Sequence, residues 1–193
     1  MEGKRYTVKT ANIFIHNPMA QISMYNVTVP EFKRELLALR AILVKAEAFV
    51  AEKKITDSVL LGAYLAPDQY PLVKQVQIAC DGAKGTAGRL ANVELPKMED
   101  NETTLKALEE RIDKTIAFLD TLTEEQFVGS EERDIPIYFM PGKVLTGLEY
   151  LNTLGLANFY FHLTTAYSIL RHNGMNIGKS DYMGQVEFRD EKK

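Results

Sequence analysis

The sequence predicts an all-α protein, a four-helix bundle with a small β-hairpin before the last helix. Four long segments carry apolar residues at alternating spacings of three and four, and short connections join them. A stretch of β-branched and aromatic residues on both sides of a Pro-Gly turn precedes the fourth segment, as in a hairpin. At 193 residues, one domain is the default expectation.

Three parts of the chain have different character. We expect residues 1–21 to be an N-terminal arm or extension, residues 22–184 to form the bundle, and residues 185–193 to be a charged tail. From Met175 onward the sequence is Gly-rich and then charged, which predicts a loosely held segment.

Composition excludes several classes of protein. The net charge of −3 gives no basic excess, so we expect no nucleic-acid partner. No uncharged apolar run reaches the length of a membrane-spanning helix, so we expect no membrane association. The single cysteine, Cys80, excludes an intrachain disulfide and a thiolate-rich zinc site, and it fits a cytoplasmic location.

The first long helix is predicted over about residues 30–53. Thr28 and Glu31 have the spacing of a capping box, and Pro30 suits a first helical turn. A short helix is expected over 57–63, and two prolines bracket a turn at 67–71.

The second long helix, over about 71–92, contains three glycines at positions 82, 85 and 88. Each costs about 1 kcal/mol relative to alanine inside a helix, which indicates that something approaches this backbone closely. Either a neighbouring helix or a ligand would explain it.

The third long helix is predicted over about 103–122. Thr123 and Gln126 then form a capping box for one further turn. The hairpin is predicted over Ile135 to Leu145. The last helix is predicted over about 147–173, and Asn173-Gly174 ends it.

The last helix has a polar centre in an otherwise apolar seam. The seam begins at Leu148, and Asn158 and His162 stand four residues apart within it, with Thr165 beyond. The second helix has a matching pair, Gln77 and Asp81. Buried polar groups need partners, so this layer predicts either a closed hydrogen-bond network or a pocket for a metal or small molecule.

Other reactive residues receive plainer interpretations. His172 lies in the last helical turn, where it suits a capping role. Cys80 falls in an apolar stripe and is expected to be a core residue, and His16 receives no role. The last helix is apolar nearly all round, which predicts that a second copy covers part of it in a homodimer.

Several motifs resemble a family of bacterial proteins known as a domain of unknown function, related to the DinB/YfiT-like metalloenzymes. The resemblance covers about residues 22–184. The motifs are Ile22-Ser23-Met24-Tyr25, Leu65-Ala66-Pro67-Asp68, Val76-Gln77-Ile78-Ala79-Cys80-Asp81, Asn158-Phe159-Tyr160-Phe161-His162, Thr164-Thr165-Ala166-Tyr167 and Leu170-Arg171-His172-Asn173-Gly174.

The resemblance implies a DinB-like four-helix bundle, often dimeric. Members of the wider superfamily hold a divalent metal such as zinc or nickel with three histidines, one on the second helix and two in a His-x-x-x-His pair on the last. At those positions this chain has Gln77, Asn158 and His162, so only His162 keeps the ligand type. Amides are poor ligands for zinc, which implies a degenerate metal site.

Three functions remain open. The first is a DinB-like protein with a polar pocket formed by Gln77, Asp81, Asn158, His162 and Thr165, with no cofactor. The second is a metal-dependent transferase or hydrolase acting on a small molecule, with His162 as ligand or base. The third is a homodimeric interaction module without catalysis.

Overall fold

A computed structural model describes residues 22–186, 188 and 190–191 of the chain. The predicted arm at 1–21, including His16, lies outside the described residues, as do four positions of the predicted tail.

The fold is all-α with one small hairpin, as the sequence predicts. The elements, in chain order, are α1 (Val29–Lys53), α2 (Asp57–Leu61), α3 (Leu72–Ala91), α4 (Leu105–Leu119), a 3₁₀ turn (Glu124–Phe127), β1 (Asp134–Pro136), β2 (Val144–Thr146), α5 (Gly147–Tyr150), a π-turn (Leu151–Gly155), α6 (Leu156–His172) and α7 (Lys179–Met183).

The long helices pack around one apolar core. The most extensive helix contacts are α3 against α6, α1 against α4, and α3 against α4. The seam residues predicted for α1, α3 and α4 supply most of the buried side chains, because their spacing keeps them on one helical face. The largest fully buried apolar groups include Phe32 of α1 and Phe159 of α6, whose ring centroids are 4.7 Å apart.

The predicted capping box at the start of α1 does not form. The Thr28 side chain makes no capping hydrogen bond, and its hydroxyl is buried. The Glu31 carboxylate instead accepts hydrogen bonds from Arg34 and from the Tyr160 hydroxyl of α6. These two partners, one on α1 and one on α6, therefore take the place of the local cap. At Thr123 and Gln126 the predicted capping box is present and begins the 3₁₀ turn.

The last predicted helix is not a regular helix throughout. α5 and α6 are separated by the π-turn over Leu151–Gly155. A π-turn has more residues per turn than an α-helix, so it changes the phase of the helical faces. As a result Leu148, predicted to lie in the seam, is exposed, while Gly147 and Leu151 are buried.

The hairpin pairs β1 and β2 antiparallel, with Ile135 opposite Leu145. Gly142 in its turn has φ +78°, a conformation that favours glycine. The hairpin packs against α5. At its tip Tyr138 and Phe139 are exposed and pack edge to face.

The segment after α6 is more firmly held than the sequence predicts. Asn173-Gly174 ends α6, with Gly174 at φ +92°, as expected. Met175 and Ile177 are then buried, and α7 packs against α1. These apolar side chains fix residues 175–183, so the expectation of a loose segment there is wrong.

Within the described part of the chain, no helix combines the length and apolar character needed to cross a membrane.

Candidate functional site

A buried hydrogen bond joins α3 to α6. The Nδ1 atom of His162 lies 2.7 Å from Oε1 of Gln75, and Nε2 of Gln75 donates to the Tyr70 carbonyl at 2.8 Å. Both side chains are buried. The sequence predicts that His162 bonds within a polar layer that contains Gln77. The observed hydrogen-bond partner of His162 is Gln75.

This arrangement fixes the proton on His162. The Tyr70 carbonyl can only accept, so the Gln75 amide nitrogen faces it and the amide oxygen faces His162. An amide oxygen also only accepts, so Nδ1 of His162 carries the proton and Nε2 keeps its lone pair. Burial lowers the pKa of His162, which favours the neutral ring.

The helices α3 and α6 run antiparallel with a definite register. Gln75 faces His162, a Cβ at Gly82 would lie 3.5 Å from Asn158, and Thr86 meets Gly155. These α3 positions, with Ile78 between them, form a single helical face. The residue of α3 that lies between Asn158 and His162 is therefore Ile78.

Gln77 lies on a different face of α3. Its amide donates to Glu102 at 2.7 Å, and the other Glu102 oxygen accepts from Arg111 of α4 at 2.9 Å. The structure thus does not bring Gln77 together with Asn158 and His162. Thr165 is also separate, because its hydroxyl donates to the Phe161 carbonyl of its own helix at 2.7 Å.

Arg111 is the centre of a buried ionic network. Its guanidinium is 1% exposed and contacts Asp81 at 3.1 Å, Asp100 at 3.0 Å and Glu102 at 2.9 Å. It also donates to the Glu99 carbonyl at 3.1 Å, so it ties the loop over residues 93–104 to α3 and α4.

The network lowers the pKa of two of its carboxylates, so both favour the charged form. A hydrogen bond from Lys74, assisted by Arg111, lowers the pKa of Asp100. Burial acts to raise the pKa of Glu102, but hydrogen bonds from Arg111 and Gln77 outweigh it and the pKa is lowered. Lys84 lies 2.8 Å from Asp81. Three cations, Arg111, Lys84 and Lys74, thus balance the three carboxylates.

A cavity of about 380 Å³ lies between α3, the π-turn, the start of α6 and the hairpin. It contains two of the predicted pocket residues, Asp81 and Asn158, but not Gln77, His162 or Thr165. Its other polar groups come from Thr86, Arg89 and Tyr150. Its apolar wall is formed by Ile78, Pro136, Ile137, Tyr138, Phe139 and Leu154.

Arg89 is a cavity residue that sequence reasoning missed. Its Nη1 donates to the Tyr150 hydroxyl at 3.2 Å, and its guanidinium lies 5.9 Å from the centre of the Tyr138 ring. A Cβ at Gly85 would lie 2.5 Å from that Nη1, so the glycine makes room for the guanidinium. In the sequence, the signal for this arrangement is Gly85 four residues before Arg89, on the same face of the helix.

The three glycines of α3 have three different neighbours. Gly82 has only ordinary contacts with α6, Gly85 accommodates Arg89 of its own helix, and Gly88 is approached by Leu95 and Phe118. Packing against other parts of the protein therefore explains Gly88 and applies to Gly82 as well; Gly82 also lines the cavity, and a ligand there stays a prediction.

The donor set does not fit the metal of the wider superfamily. No cluster of three His, Cys, Asp or Glu side chains suitable for a metal occurs among residues 22–186, 188 and 190–191. His162 keeps an Nε2 lone pair, but the helical spacing places only the Asn158 amide and the hydrocarbon side chain of Ile78 next to it in register, and neither is a histidine or a carboxylate. An imidazole with one amide is a weak site for zinc or nickel.

Two other reactive residues have structural positions. Cys80 is fully buried, and burial raises the pKa of its thiol to about 12, so it stays protonated and unreactive. His172 lies exposed in the last turn of α6, in keeping with the predicted capping position.

Comparison with known proteins identifies the family. The model of a domain of unknown function, DUF1993, matches residues 24–183. The chain belongs to this family.

A solved structure extends the identification to the fold. The chain is similar to a DinB family member protein from Shewanella denitrificans, with 43% sequence identity and a TM-score of 0.83. The match covers 86% of this chain and 95% of that one. No curated protein shows significant similarity to the chain. The DUF1993 chain thus has the DinB-like fold that its motifs resemble.

Proposed function

We propose that this DUF1993 protein binds a small molecule in the cavity between α3, α6 and the hairpin, and that the metal site of the wider superfamily is degenerate here. One observation carries the proposal: the cavity lies beside Asn158, at a superfamily ligand position, and among the residues that the structure describes neither a histidine nor a cysteine lines it.

The character of the cavity supports a small organic ligand. A volume of about 380 Å³ lies within the range of ligand-binding pockets. Such pockets combine an apolar wall with a few polar groups that fix orientation. Here the wall comes from the hairpin and Leu154, and the polar groups are Asp81, Arg89 and Asn158.

The first experiment measures metal binding. Zinc and nickel are titrated by calorimetry into untagged, metal-free protein, beside His162→Ala. We expect weak, substoichiometric binding, and the same stability with and without metal. Stoichiometric binding that His162→Ala abolishes would contradict the degenerate site.

The second experiment fills the cavity. Asn158→Phe adds a ring to the cavity lining, and the matched control Ala157→Phe adds the same ring at an exposed neighbour outside the cavity. A set of aryl and alkyl probes is followed by amide NMR shifts at Gly82, Thr86 and Gly155. We expect Asn158→Phe alone to abolish binding; equal loss in both variants would argue against this cavity.

A second candidate is hydrolysis or group transfer with His162 as general base. It is favoured by the Gln75 hydrogen bond, which leaves the Nε2 lone pair of a neutral imidazole available. Activity towards ester or thioester probes that His162→Gln abolishes, with folding and cavity binding intact, would support it. Full activity in His162→Gln would exclude it.

A third candidate is a homodimeric interaction module. Phe161 on α6 and Leu148 on α5 are about half exposed, and such apolar groups favour contact with another chain. Sedimentation across a concentration series tests it. A monomer at tens of micromolar would exclude the homodimer.

A further inference from the structure

We infer that the cavity selects a monocarboxylate with an apolar aryl or short alkyl body, and that Arg89 binds the carboxylate. This inference rests on the proposed function, because it names the class of molecule that the same cavity takes.

Arg89 is the uncompensated charge at this site. Only Asp81 and Arg89 among the cavity residues carry a charge. Asp81 is already neutralised, since Lys84 and Arg111 contact its two oxygens. Within the part of the chain that the structure describes, Arg89 has no carboxylate within ion-pair distance; its polar contact is the neutral Tyr150 hydroxyl.

The guanidinium is pre-organised. Tyr150 bonds one of its nitrogens, the Tyr138 ring lies near its face, and Gly85 leaves the space it occupies. A guanidinium presents a planar fork of donors that matches a carboxylate, and it loses little freedom when it is already held. Arg89 also lies in the last turn of α3, where the helix dipole favours a cation. That position does not explain why a cavity lies beside the guanidinium.

The other lining residues indicate that the body of the ligand is apolar. Tyr138 and Phe139 are 81% and 56% exposed at the hairpin tip, so both have apolar surface to bury against a ligand. Ile78, Ile137 and Leu154 continue this wall inward. In the described part of the chain, Arg89 is the one cationic residue that lines the cavity, so a single carboxylate matches its charge, whereas a doubly charged phosphate ester would keep a charge without a partner.

The test uses probes matched in shape and different in charge. The pairs are phenylacetate with phenylacetamide, 4-phenylbutyrate with 4-phenylbutyramide, and octanoate with octanamide. Dissociation constants come from amide NMR shifts of the cavity residues. For at least one pair we expect the carboxylate to bind about tenfold more tightly than its amide, because a charge-assisted hydrogen bond replaces a neutral one.

Two variants locate the effect. Arg89→Gln should remove the preference, so that carboxylate and amide bind alike. Gly85→Ala keeps the charge but displaces the guanidinium, and it should weaken carboxylate binding severalfold. Arg40→Gln removes the same charge from α1, where the arginine pairs with Asp113, and should change nothing.

The outcomes separate the two proposals. Binding of carboxylate and amide with equal affinity in the unaltered protein would overturn the role of Arg89 and leave the small-molecule cavity standing. Binding of no probe in any pair would overturn both. A carboxylate preference that survives in Arg89→Gln would move the anion site elsewhere and also overturn the inference.

Discussion

Gln75 accepts a hydrogen bond from Nδ1 of His162 across the α3–α6 interface, at 2.7 Å. The bond sets the tautomer of His162, the buried histidine of α6, so it decides which ring nitrogen is available for chemistry. Gln75→Leu should remove this control and leave a mixture of tautomers. Imidazole ¹⁵N NMR checks it: we expect a protonated Nδ1 in the unaltered protein, and an averaged signal in the variant. An Nε2-protonated ring in the unaltered protein would contradict the assignment.

The register of α3 against α6 predicts which substitutions create a metal site. Ile78→His with Asn158→His should bind zinc, because residues 78, 158 and 162 share one interface. Gln77→His with Asn158→His is the matched control, and it should not, because position 77 faces Glu102. Calorimetry with zinc distinguishes them. Tighter zinc binding by the control pair would show that the inferred register is wrong.

Arg111 is expected to be the most sensitive charged residue for stability. Arg111→Met leaves Glu102 buried without its partner and should lower the free energy of unfolding by about 3 kcal/mol, at the lower end for a broken buried ion pair because Asp81 and Asp100 are partly exposed. Arg111→Lys should lose less. Lys33→Met, which breaks a partly exposed pair with Asp120, should lose about 1 kcal/mol or less. Urea unfolding measures all three.

The same network predicts how stability depends on pH. The pKa values of Asp100 and Glu102 are lowered in the folded state, so their contribution is present above their ordinary values of 3.8 and 4.5 and is lost as pH falls through the folded values. The free energy of unfolding should therefore fall below about pH 4.5. Arg111→Met should flatten that fall.

Glu35 affects the pH dependence of stability in the opposite direction to Asp100 and Glu102. Burial raises its pKa despite the nearby Arg34, so its contribution to stability increases as pH falls from neutrality. Because Glu35 is present in both proteins, its effect cancels when the pH dependence of the free energy of unfolding is compared between Arg111→Met and the unaltered protein. The remaining difference reports on the Arg111 network. An identical acid slope in the two would contradict the prediction.

Gly155 at the end of the π-turn is predicted to be intolerant of a side chain. A Cβ there would lie 2.6 Å from Cγ2 of Thr86, whose β-branched side chain has little room to move. Gly155→Ala should cost about 1 kcal/mol net, and Thr86→Ala should relieve it in the double variant. Gly82→Ala meets only ordinary contacts and should stabilise α3 by up to about 1 kcal/mol. Thermal unfolding compares the four.

The helices were predictable from sequence because burial imposes a period on each of them. The buried seams of α1, α3 and α4 can be recognised from the identities and spacing of their own residues. The π-turn was not predictable in this way, since the residues from Leu148 to His162 also fit an uninterrupted α-helical seam. The π-turn ends at Gly155, where Thr86 of α3 lies close to the α6 backbone, and that tertiary contact is not visible in the local sequence pattern.

The candidate site was harder to predict, for a related reason. A polar pair at a spacing of four identifies a helical face, but not the rotation of that face relative to another helix. Gln75 and Gln77 are both buried amides of α3, and only tertiary packing assigns one to His162 and the other to Glu102. Arg89 was missed because its neighbours, Tyr138 and Tyr150, are far from it in sequence.

The Arg111 network also bears on the order in which the chain assembles. The loop over residues 93–104 has no regular secondary structure, and its position depends on a guanidinium from α4 and groups from α3. It can reach that position only after those helices have docked, so it belongs to the last part of the folding reaction. Substitutions in this loop should then accelerate unfolding and leave the folding rate almost unchanged.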